Sequence, residues 1–317
     1  MIYEETDAIR LMTYNIGGGR RDFGSDMSDV LQVIDDLQPD ILGIQEITEL
    51  KDLDENWYRW TEKISRRLNY GESYYFGPTL SLQDQFHVRK SILVRGIFND
   101  WNGWWQGNAL VSRWRFVRLG NPEKPGNPFN IPIFRPSVYL GNRDTDPRYV
   151  ILSRIDCGNT SPYVLISHLT TLMGETGAGN LPGKVEEAQL IRWRQCQQLI
   201  DLIQEELLLK GELVFLMADF NATANEPCIS NILVNKGSFV RLKPEDEKAT
   251  HAKMTSPIDH ILVHAGNYRV EYHCWVVDNP TARRASDHLP VVADLRVFDQ
   301  NSAKVEMKGV GVFQEVE

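Results

Sequence analysis

The hydrophobic pattern of this chain consists of short apolar runs separated by turn residues, together with three segments of helical period. The runs predict nine β-strands, at residues 9–12, 41–44, 91–94, 109–111, 149–155, 163–166, 213–217, 258–263 and 291–297. Apolar residues at three- and four-residue steps predict helices over 27–37, 57–68 and 185–209. Strands and helices that alternate along the whole length indicate an α/β fold.

Two segments depart from this pattern. Residues 120–148 contain six of the 15 prolines, and proline removes a backbone donor, so we predict a surface loop there. Residues 170–184 are rich in glycine and begin two residues after His168. We expect a loop that overhangs whatever His168 contacts, either a lid or specificity loop or a plain connector.

Composition narrows the class of protein. A hydrophobic content of 42% and a charged content of 24% are typical of soluble globular proteins. We find no repeat or low-complexity linker and predict one domain over 1–317, with a tail at 299–317 to which we assign no role. No apolar run approaches the ~20 residues of a bilayer span, and the acidic N-terminus does not resemble a signal peptide.

The four cysteines are scattered, which favours free thiols in a reducing compartment and a cytoplasmic location. They are Cys157, Cys196, Cys228 and Cys274.

The formal charge of -9 argues against broad, charge-driven binding of nucleic acid. The charge is uneven, however, since residues 89–143 carry nine basic and two acidic residues, a formal +7. Trp101, Trp104, Trp105 and Trp114 lie in the same span. Cations interleaved with aromatic rings suit phosphate contact and base stacking. The alternative is an arginine-rich pair of strands over a tryptophan cluster.

Polar side chains stand at the ends of several apolar runs, where a purely structural strand has no need of them. In chain order they are Asn15, Glu46, His168, Asp219, Asn221, Asp259, Asp287 and His288. Asp219 and Asn221 are two residues apart, so in an extended segment they point the same way. Each motif alone has a structural explanation, such as an Asx turn or a surface glutamate. Their agreement in number and order is what makes the set specific.

This ordered set resembles the endonuclease/exonuclease/phosphatase superfamily, the deoxyribonuclease I-like proteins, over roughly residues 10 to 297. The resemblance implies a four-layer αββα sandwich, in which two mixed, mostly antiparallel sheets pack face to face between helices. It also implies a phosphoester hydrolase that uses a divalent metal. Oxygen ligands suit Mg²⁺, with Mn²⁺ as an alternative.

The resemblance also implies roles for individual residues. It gives catalytic roles to Asp219, Asn221, Asp259, His288 and His168, and metal binding to Glu46, Asn15 and Asp287. By the same resemblance Asp219 positions or deprotonates water, and Asp259 orients and charges His288.

Substrate contacts are predicted for Asn108, which lies in a strand similar to one of the family's, for Arg20 and Arg21 and for Trp104 and Trp105. The two arginines follow three glycines and could bind a second phosphate, or lie in a solvated loop.

Departures from the family's branches limit the substrate. Asn15 is followed by three glycines after Ile16, unlike abasic-site endonucleases, and the inositol 5-phosphatase run is absent. His260 stands where a tyrosine is usual, and His87, His251, His264 and His273 match no motif and are expected on the surface or in the core.

We expect a phosphodiesterase, with nucleic acid as first choice of substrate. The alternatives are a small phosphoester or a phospholipid, since Ile97, Phe98 and the nearby tryptophans leave contact with a membrane surface open. A non-catalytic binding module on the same fold is disfavoured, because no metal carboxylate is lost and the Asp259–His288 pair is intact.

Overall fold

The computed structural model describes residues 8–17, 27–51, 57–58, 60–82, 103–136, 146–172, 182–299 and 314–316. The strands in these segments are β1 Ile9–Asn15, β2 Ile41–Lys51, β3 Trp57–Tyr58, β4 Tyr74–Ser81, β5 Trp104–Ser112, β6 Phe116–Arg118, β7 Asn121–Pro125, β8 Phe129–Phe134, β9 Arg148–Ile155, β10 Tyr163–His168, β11 Val214–Asp219, β12 Val240–Arg241, β13 Asp259–His264, β14 Tyr268–Val276, β15 Val291–Asp299 and β16 Gln314–Val316. The helices are α1 Ser28–Leu37, α2 Trp60–Arg67, α3 Pro182–Ile203, α4 Cys228–Lys236 and α5 Pro280–Ala285. A π-helical turn, Gln204–Leu208, extends α3, and α4 is itself π-helical.

The strands form two sheets, each with one parallel pair. The first sheet has the order β16-β14-β15-β1-β2-β5-β4, with β3 paired to β2. The second has the order β12-β13-β11-β10-β9-β6-β7, with β8 paired to β9. β1 runs parallel to β2, and β10 runs parallel to β11. The remaining pairs are antiparallel.

Three apolar clusters hold the layers together. The first lies between the sheets and includes Leu11, Ile166 and Met217. Another cluster lies on the outer face of the second sheet, where α3 and α4 pack. The remaining cluster lies on the outer face of the first sheet, where α1, α2 and α5 pack. The result is the predicted αββα sandwich. No helix among the described residues is long and apolar enough to cross a bilayer.

Most sequence-based expectations for these segments are confirmed. Eight of the nine predicted strands correspond to β1, β2, β5, β9, β10, β11, β13 and β15, and residues 91–94 lie outside the described part. The three predicted helices correspond to α1, α2 and α3, except that residues 57–58, predicted as the start of the second helix, form β3. The four cysteines are free thiols. The glycine-rich segment 170–184 is described only at its two ends.

The prediction of a loop over 120–148 is wrong for residues 121–125 and 129–134, which form strands. β7 and β8 fall within it and carry Pro122, Pro125 and Pro132. Each of these strands lies at the margin of the second sheet, since β7 pairs with β6 and β8 pairs with β9. A strand with one unpaired edge tolerates a missing N–H, so proline excluded only a central strand here.

Candidate active site

The topology brings polar residues from both sheets to one end of the sandwich. The parallel pairing of β1 with β2 ends at Asn15 and Gln45, next to Glu46, while β10 and β11 run parallel and end at His168 and Asp219. β13 runs antiparallel to β11, so its first residue, Asp259, pairs with Asp219. Residues remote in sequence therefore meet at one edge.

Asp219 is the centre of this cluster and is almost completely buried. Its Oδ2 accepts a hydrogen bond from Nδ2 of Asn15 at 2.8 Å, and its Oδ1 accepts the backbone N–H of Asn221 at 2.8 Å. Nε2 of His168 lies 3.4 Å from Oδ2, and Nε2 of His288 lies 3.8 Å from it. Two imidazoles and two amides thus surround one carboxylate.

Electrostatics set the protonation of Asp219. Burial raises the pKa of this carboxyl, and the neighbouring Asp259 raises it further. His288, Asn15 and Asn221 oppose these effects, and the pKa reaches about 7. A carboxyl that titrates near neutrality is suited to act as a general base.

His288 forms an ion pair with Asp259. Its Nδ1 donates to Oδ2 of Asp259 at 2.9 Å, and both side chains are buried. Burial lowers the pKa of this imidazole, but Asp259 and Asp219 outweigh burial and raise it to about 10. His288 is therefore a cation at neutral pH, with Nε2 directed towards Asp219.

Glu46 is aimed by an irregularity in β2. The pairing of β2 with β5 shifts register between Ile44 and Ile47, and Glu46 has a backbone φ of 55°, unusual for a residue with a side chain. Such a bulge redirects a side chain at the edge of a sheet. Nδ2 of Asn15 and Nε2 of Gln106 each lie 3.4 Å from one of its carboxylate oxygens.

Asn221 and His168 form a second polar contact beside Asp219. Nδ2 of Asn221 lies 3.1 Å from Nε2 of His168 and donates to the carbonyl of Leu169 at 3.3 Å. Asn221 also has a left-handed backbone, with φ 49°. Two strained non-glycine residues, Asn221 and Glu46, thus fall in one site, which is typical of functional positions.

Asp287 and His288 are fixed by short contacts of the backbone. Oγ of Ser286 donates to the carbonyl of Asn15 at 2.8 Å and accepts the N–H of His288 at 3.1 Å. Asp287 lies between these two residues, and its carboxylate is 3.7 Å from Nε2 of His251. The His251 ring packs edge-on against His288, with centroids 4.7 Å apart.

The sequence missed two residues of this site, and no motif marks either of them. His251 was expected on the surface or in the core, yet it lies against His288. Arg148 was not singled out, but it borders the cleft that Glu46, Gln106, Asn108 and His168 also line. Arg148 is buried, 3.8 Å from the Asp146 carboxylate, and its Nε has no hydrogen-bond partner in the described segments.

The predicted substrate contacts are only partly brought to this cleft. Asn108 lines it, with Nδ2 donating to the carbonyl of Tyr149 at 3.4 Å. Trp104 lies on the same side of β5 as Gln106 and Asn108, since side chains alternate along a strand, whereas Trp105 points to the other face. Arg20 and Arg21 lie outside the described residues.

The predicted basic face is not assembled at the site by Arg113 and Arg115, which lie in the turn between β5 and β6. Arg113 pairs with Asp40, and Arg115 pairs with Asp156. Arg113 and Asp40 adjoin Ile41, the first residue of β2, which precedes Glu46 by five positions. These charges are neutralised and distant from the cleft.

His260, the residue that departs from the family pattern, supports the site from behind. It is buried, and its Nε2 donates to the carbonyl of Ala222 at 3.0 Å, which ties β13 to the loop after Asn221. Burial, with a smaller contribution from Arg241, lowers the pKa of His260 to about 4. The imidazole is therefore neutral at pH 7.

We expect His260 to make the fold sensitive to acid. Between pH 6.5 and 4 the unfolded chain binds a proton that the folded chain does not. The free energy of unfolding therefore decreases as the pH is lowered through this range, by up to about 3 kcal/mol. His260→Gln keeps a donor for Ala222 and should reduce this loss, measured by urea unfolding at pH 7 and pH 4.5. His264→Gln, at the partly exposed end of β13, is the control; an equal effect there would contradict the assignment.

Comparison with known proteins gives a consistent picture. The model of the Endonuclease/Exonuclease/phosphatase family matches residues 12–288. No curated protein matches the sequence.

Solved structures share the fold at low identity. A Beutenbergia cavernae endonuclease/exonuclease/phosphatase is 19% identical, with a TM-score of 0.64, over 94% of this chain and 73% of that one. The human Nocturnin catalytic domain is 17% identical, with a TM-score of 0.58, over 92% and 95%. A Bacteroides thetaiotaomicron mannosyl-6-phosphatase is 14% identical, with a TM-score of 0.53, over 90% and 99%.

Proposed function

Because the chain belongs to the endonuclease/exonuclease/phosphatase family, whose members include phosphoester hydrolases, we propose that it is a divalent-metal-dependent phosphodiesterase. The observation that carries this proposal is the buried Asp219 carboxylate. It has a pKa near 7 and lies beside the cationic His288, at the edge where Glu46 borders the cleft. A base, a fixed cation and a partly exposed carboxylate are what phosphoester hydrolysis requires.

Asp219 acts as the general base in this proposal. It takes a proton from water as the water oxygen bonds to phosphorus and the bond from phosphorus to the leaving oxygen breaks. Asn15 and the Asn221 N–H hold the carboxylate through one bond to each oxygen, which leaves the remaining lone pairs for the water. A carboxyl with a pKa near the working pH gives the most effective proton transfer.

His288, Asn221 and His168 bind the phosphate. The charge on His288, maintained by Asp259, offsets the negative charge that develops on the phosphoryl oxygens. Asn221 and His168 lie on the opposite side of Asp219 from His288 and can donate hydrogen bonds to the same phosphate. Their donors are fixed by the fold before substrate arrives, so little reorganisation is needed when charge develops.

Glu46 and Asp287 are the carboxylates to which we assign the metal ion. Their side chains are 23% and 24% exposed, and Glu46 receives two long amide contacts of 3.4 Å. Hard carboxylate oxygens of this kind suit Mg²⁺ or Mn²⁺. When bound, the ion supplies Lewis-acid stabilisation of the phosphoryl oxygens. Asp219, Asp259 and His288 also bring ligand atoms within 4.8 Å of one another and are the alternative ligand group, in which His288 would have to lose its proton to bind an ion.

The orientation of Asn15 changes the role that we assign to it. Its Oδ1 accepts the N–H of Gly17 at 2.9 Å, which directs Nδ2 towards Asp219 and Glu46. A side chain that presents amide protons to this cluster holds carboxylates in place. We therefore place Asn15 beside the metal site as a support for Glu46 rather than as a ligand.

The substrate assignment rests on the cleft. Nucleic acid stays the first candidate, because Trp104 lies on the side of β5 that lines the cleft and could stack on a base. A small phosphodiester is the second candidate, and the pairing of Arg113 and Arg115 with acids away from the cleft favours it. Steep loss of binding with salt is expected for the polymer, and weak salt dependence for the small molecule.

We expect Arg148 to bind an anionic part of the substrate. Arg148→Gln should raise KM about tenfold, because one charge-assisted hydrogen bond is lost, while kcat changes less. Arg148→Lys, which keeps the charge, should recover part of the affinity, and Arg118→Gln, an exposed arginine of β6, should leave KM unchanged. Steady-state kinetics decide this, and an unchanged KM in Arg148→Gln would refute it.

The test of the proposed function is hydrolysis of bis-p-nitrophenyl phosphate with Mg²⁺, Mn²⁺ or EDTA, beside the monoester p-nitrophenyl phosphate. We expect metal-dependent release of nitrophenol from the diester and slower release from the monoester. Turnover that persists in EDTA would contradict metal dependence. Turnover of the monoester alone would make the protein a phosphatase.

A further inference from the structure

A fully buried arginine on α3 contacts two segments that adjoin the active site. Arg192 has no exposed surface, and its Nε and Nη2 donate to the two carboxylate oxygens of Glu226 at 2.7 and 3.0 Å. Its Nη1 lies 3.5 Å from the carbonyl of Thr170 and 3.3 Å from that of Thr171. One guanidinium therefore joins two segments that are far apart in sequence.

Gln195, on the same helix, holds Thr170 from a second side. Its Oε1 accepts the backbone N–H of Thr170 at 3.0 Å, and its Nε2 donates to the hydroxyl of Thr170 at 2.7 Å. Both residues are completely buried. The backbone and the side chain of Thr170 are thus both fixed by α3.

The two segments held in this way carry site residues. Thr170 follows His168 by two positions, and the intervening Leu169 donates its N–H to the carbonyl of Asp219 at 3.0 Å. Asn221 donates to the carbonyl of Leu169. Glu226 closes the turn that follows Asn221, with its N–H bonded to the carbonyl of Thr223 at 2.9 Å. A displacement of either segment would change the contact between His168 and Asn221.

Stability alone gives weak reason for such a network. A buried ion pair commonly gains less than its desolvation costs, and apolar side chains of similar size are often as stabilising. A fully hydrogen-bonded polar network does, however, specify one geometry, since any shift leaves buried groups unpaired. The cluster around Arg192 is of this kind, whereas Leu199 and Ile200 of the same helix pack in the ordinary apolar core.

We propose that Arg192, Gln195 and Glu226 are positioning residues that set the spacing of His168 and Asn221, so that both can contact one phosphate. The inference rests on the proposed phosphodiesterase function. The three residues touch no substrate and act through the segments that they hold. Their effect should therefore appear in kcat, and only while His168 and Asn221 are present.

The kinetic test is a double-mutant cycle between Gln195→Met and His168→Ala. Gln195→Met removes both contacts to Thr170 and should lower kcat on bis-p-nitrophenyl phosphate at least about tenfold with KM nearly constant. In the His168→Ala background the same change should alter kcat less than about twofold. Gln195→Glu, whose carboxylate can accept the Thr170 N–H and hydroxyl, should restore kcat to within about threefold.

A matched control separates positioning from general destabilisation. Leu199→Ala removes core packing from the same helix and should lower stability by about 2–4 kcal/mol, yet keep kcat at a temperature where both variants are folded. An equal loss of kcat in Leu199→Ala would overturn the proposal. So would an equal effect of Gln195→Met in both backgrounds, or an unchanged kcat.

Hydrogen exchange supplies a readout that does not depend on activity. In Gln195→Met the Leu169 and Asn221 amides, both bonded to Asp219, should exchange at least about tenfold faster relative to the amides of β13. In Leu199→Ala these amides should change no more than those of β13. A wild type that does not hydrolyse bis-p-nitrophenyl phosphate would refute the proposed phosphodiesterase activity. The hydrogen-exchange rates would still decide whether Gln195 positions the segment after His168. Unchanged protection in Gln195→Met would overturn it.

Discussion

Asp219→Asn is expected to lower kcat about 10³-fold and, in EDTA, to make the protein more stable. Activity falls because an amide cannot take a proton from water. Stability rises because the ionised carboxylate is buried beside a second carboxylate, Asp259, and only part of this cost is offset by His288. The two effects have opposite signs, which distinguishes a functional carboxylate from one that holds the fold together.

The pH dependence of the stability follows from the direction of the shift. Asp219 has a folded pKa of about 7 against an ordinary value of 3.8 for an aspartate, so between these values the folded chain binds the proton that the unfolded chain has lost. Its contribution to stability is therefore complete below pH 3.8 and is lost as the pH rises through 7, by at most about 4 kcal/mol. The asparagine at position 219 keeps one acceptor oxygen for two donors, Nδ2 of Asn15 and the N–H of Asn221, so one hydrogen bond is lost. We therefore expect a net gain in the free energy of unfolding of about 1–2 kcal/mol at pH 8.

Denaturant unfolding of the metal-free protein at pH 5 and pH 8 measures this gain, and kcat on bis-p-nitrophenyl phosphate measures the loss of activity. The difference in stability between variant and wild type should be larger at pH 8. Asp201→Asn, which changes an exposed aspartate of α3, is the control and should alter neither quantity by much. A variant that is both inactive and less stable at pH 8 would show that Asp219 is needed for folding.

The strand ends made much of this site predictable from sequence. An acid or amide that follows an apolar run must meet something polar, and parallel neighbours place such residues at one edge. Asn15, His168 and Asp219 are found in that arrangement. The same reasoning applies to Asp259, which begins a strand where a core residue is expected.

The residues that the sequence missed depend on pairings between distant segments. His251 reaches His288 through an isolated backbone pairing of the two residues, and no local pattern encodes that contact. Arg148 begins a strand as many surface arginines do, and the sequence does not show that it is buried beside the cleft that Glu46 also lines. The register shift that aims Glu46 is likewise set by pairing with β5.

The proline-rich segment shows the limit of a rule based on one residue type. Proline forbids a central strand, but whether a segment lies at the edge is decided by the order of strands in the sheet. That order depends on contacts across the whole chain. The loop prediction therefore missed β7 and β8, although each proline is compatible with its place in an edge strand.

Glu46→Gln is expected to weaken Mg²⁺ binding about 100-fold while leaving the metal-free fold unchanged. Glutamine has the same length and meets the same backbone demand at φ 55°, so the charge is the main difference. A neutral amide oxygen is a much poorer ligand for a hard dication than a carboxylate. Glu46 is not completely buried, so metal-free stability should change little.

Thermal unfolding with and without Mg²⁺ measures this without any substrate. At an ion concentration 100 times the wild-type Kd, binding should stabilise the wild type by about 2.7 kcal/mol and the variant by about 0.4 kcal/mol. Glu72→Gln, at an exposed position before β4, should behave as wild type. Full Mg²⁺ stabilisation in Glu46→Gln would move the metal to other carboxylates, with Asp219 and Asp259 the first to test, and would leave Glu46 as a substrate contact.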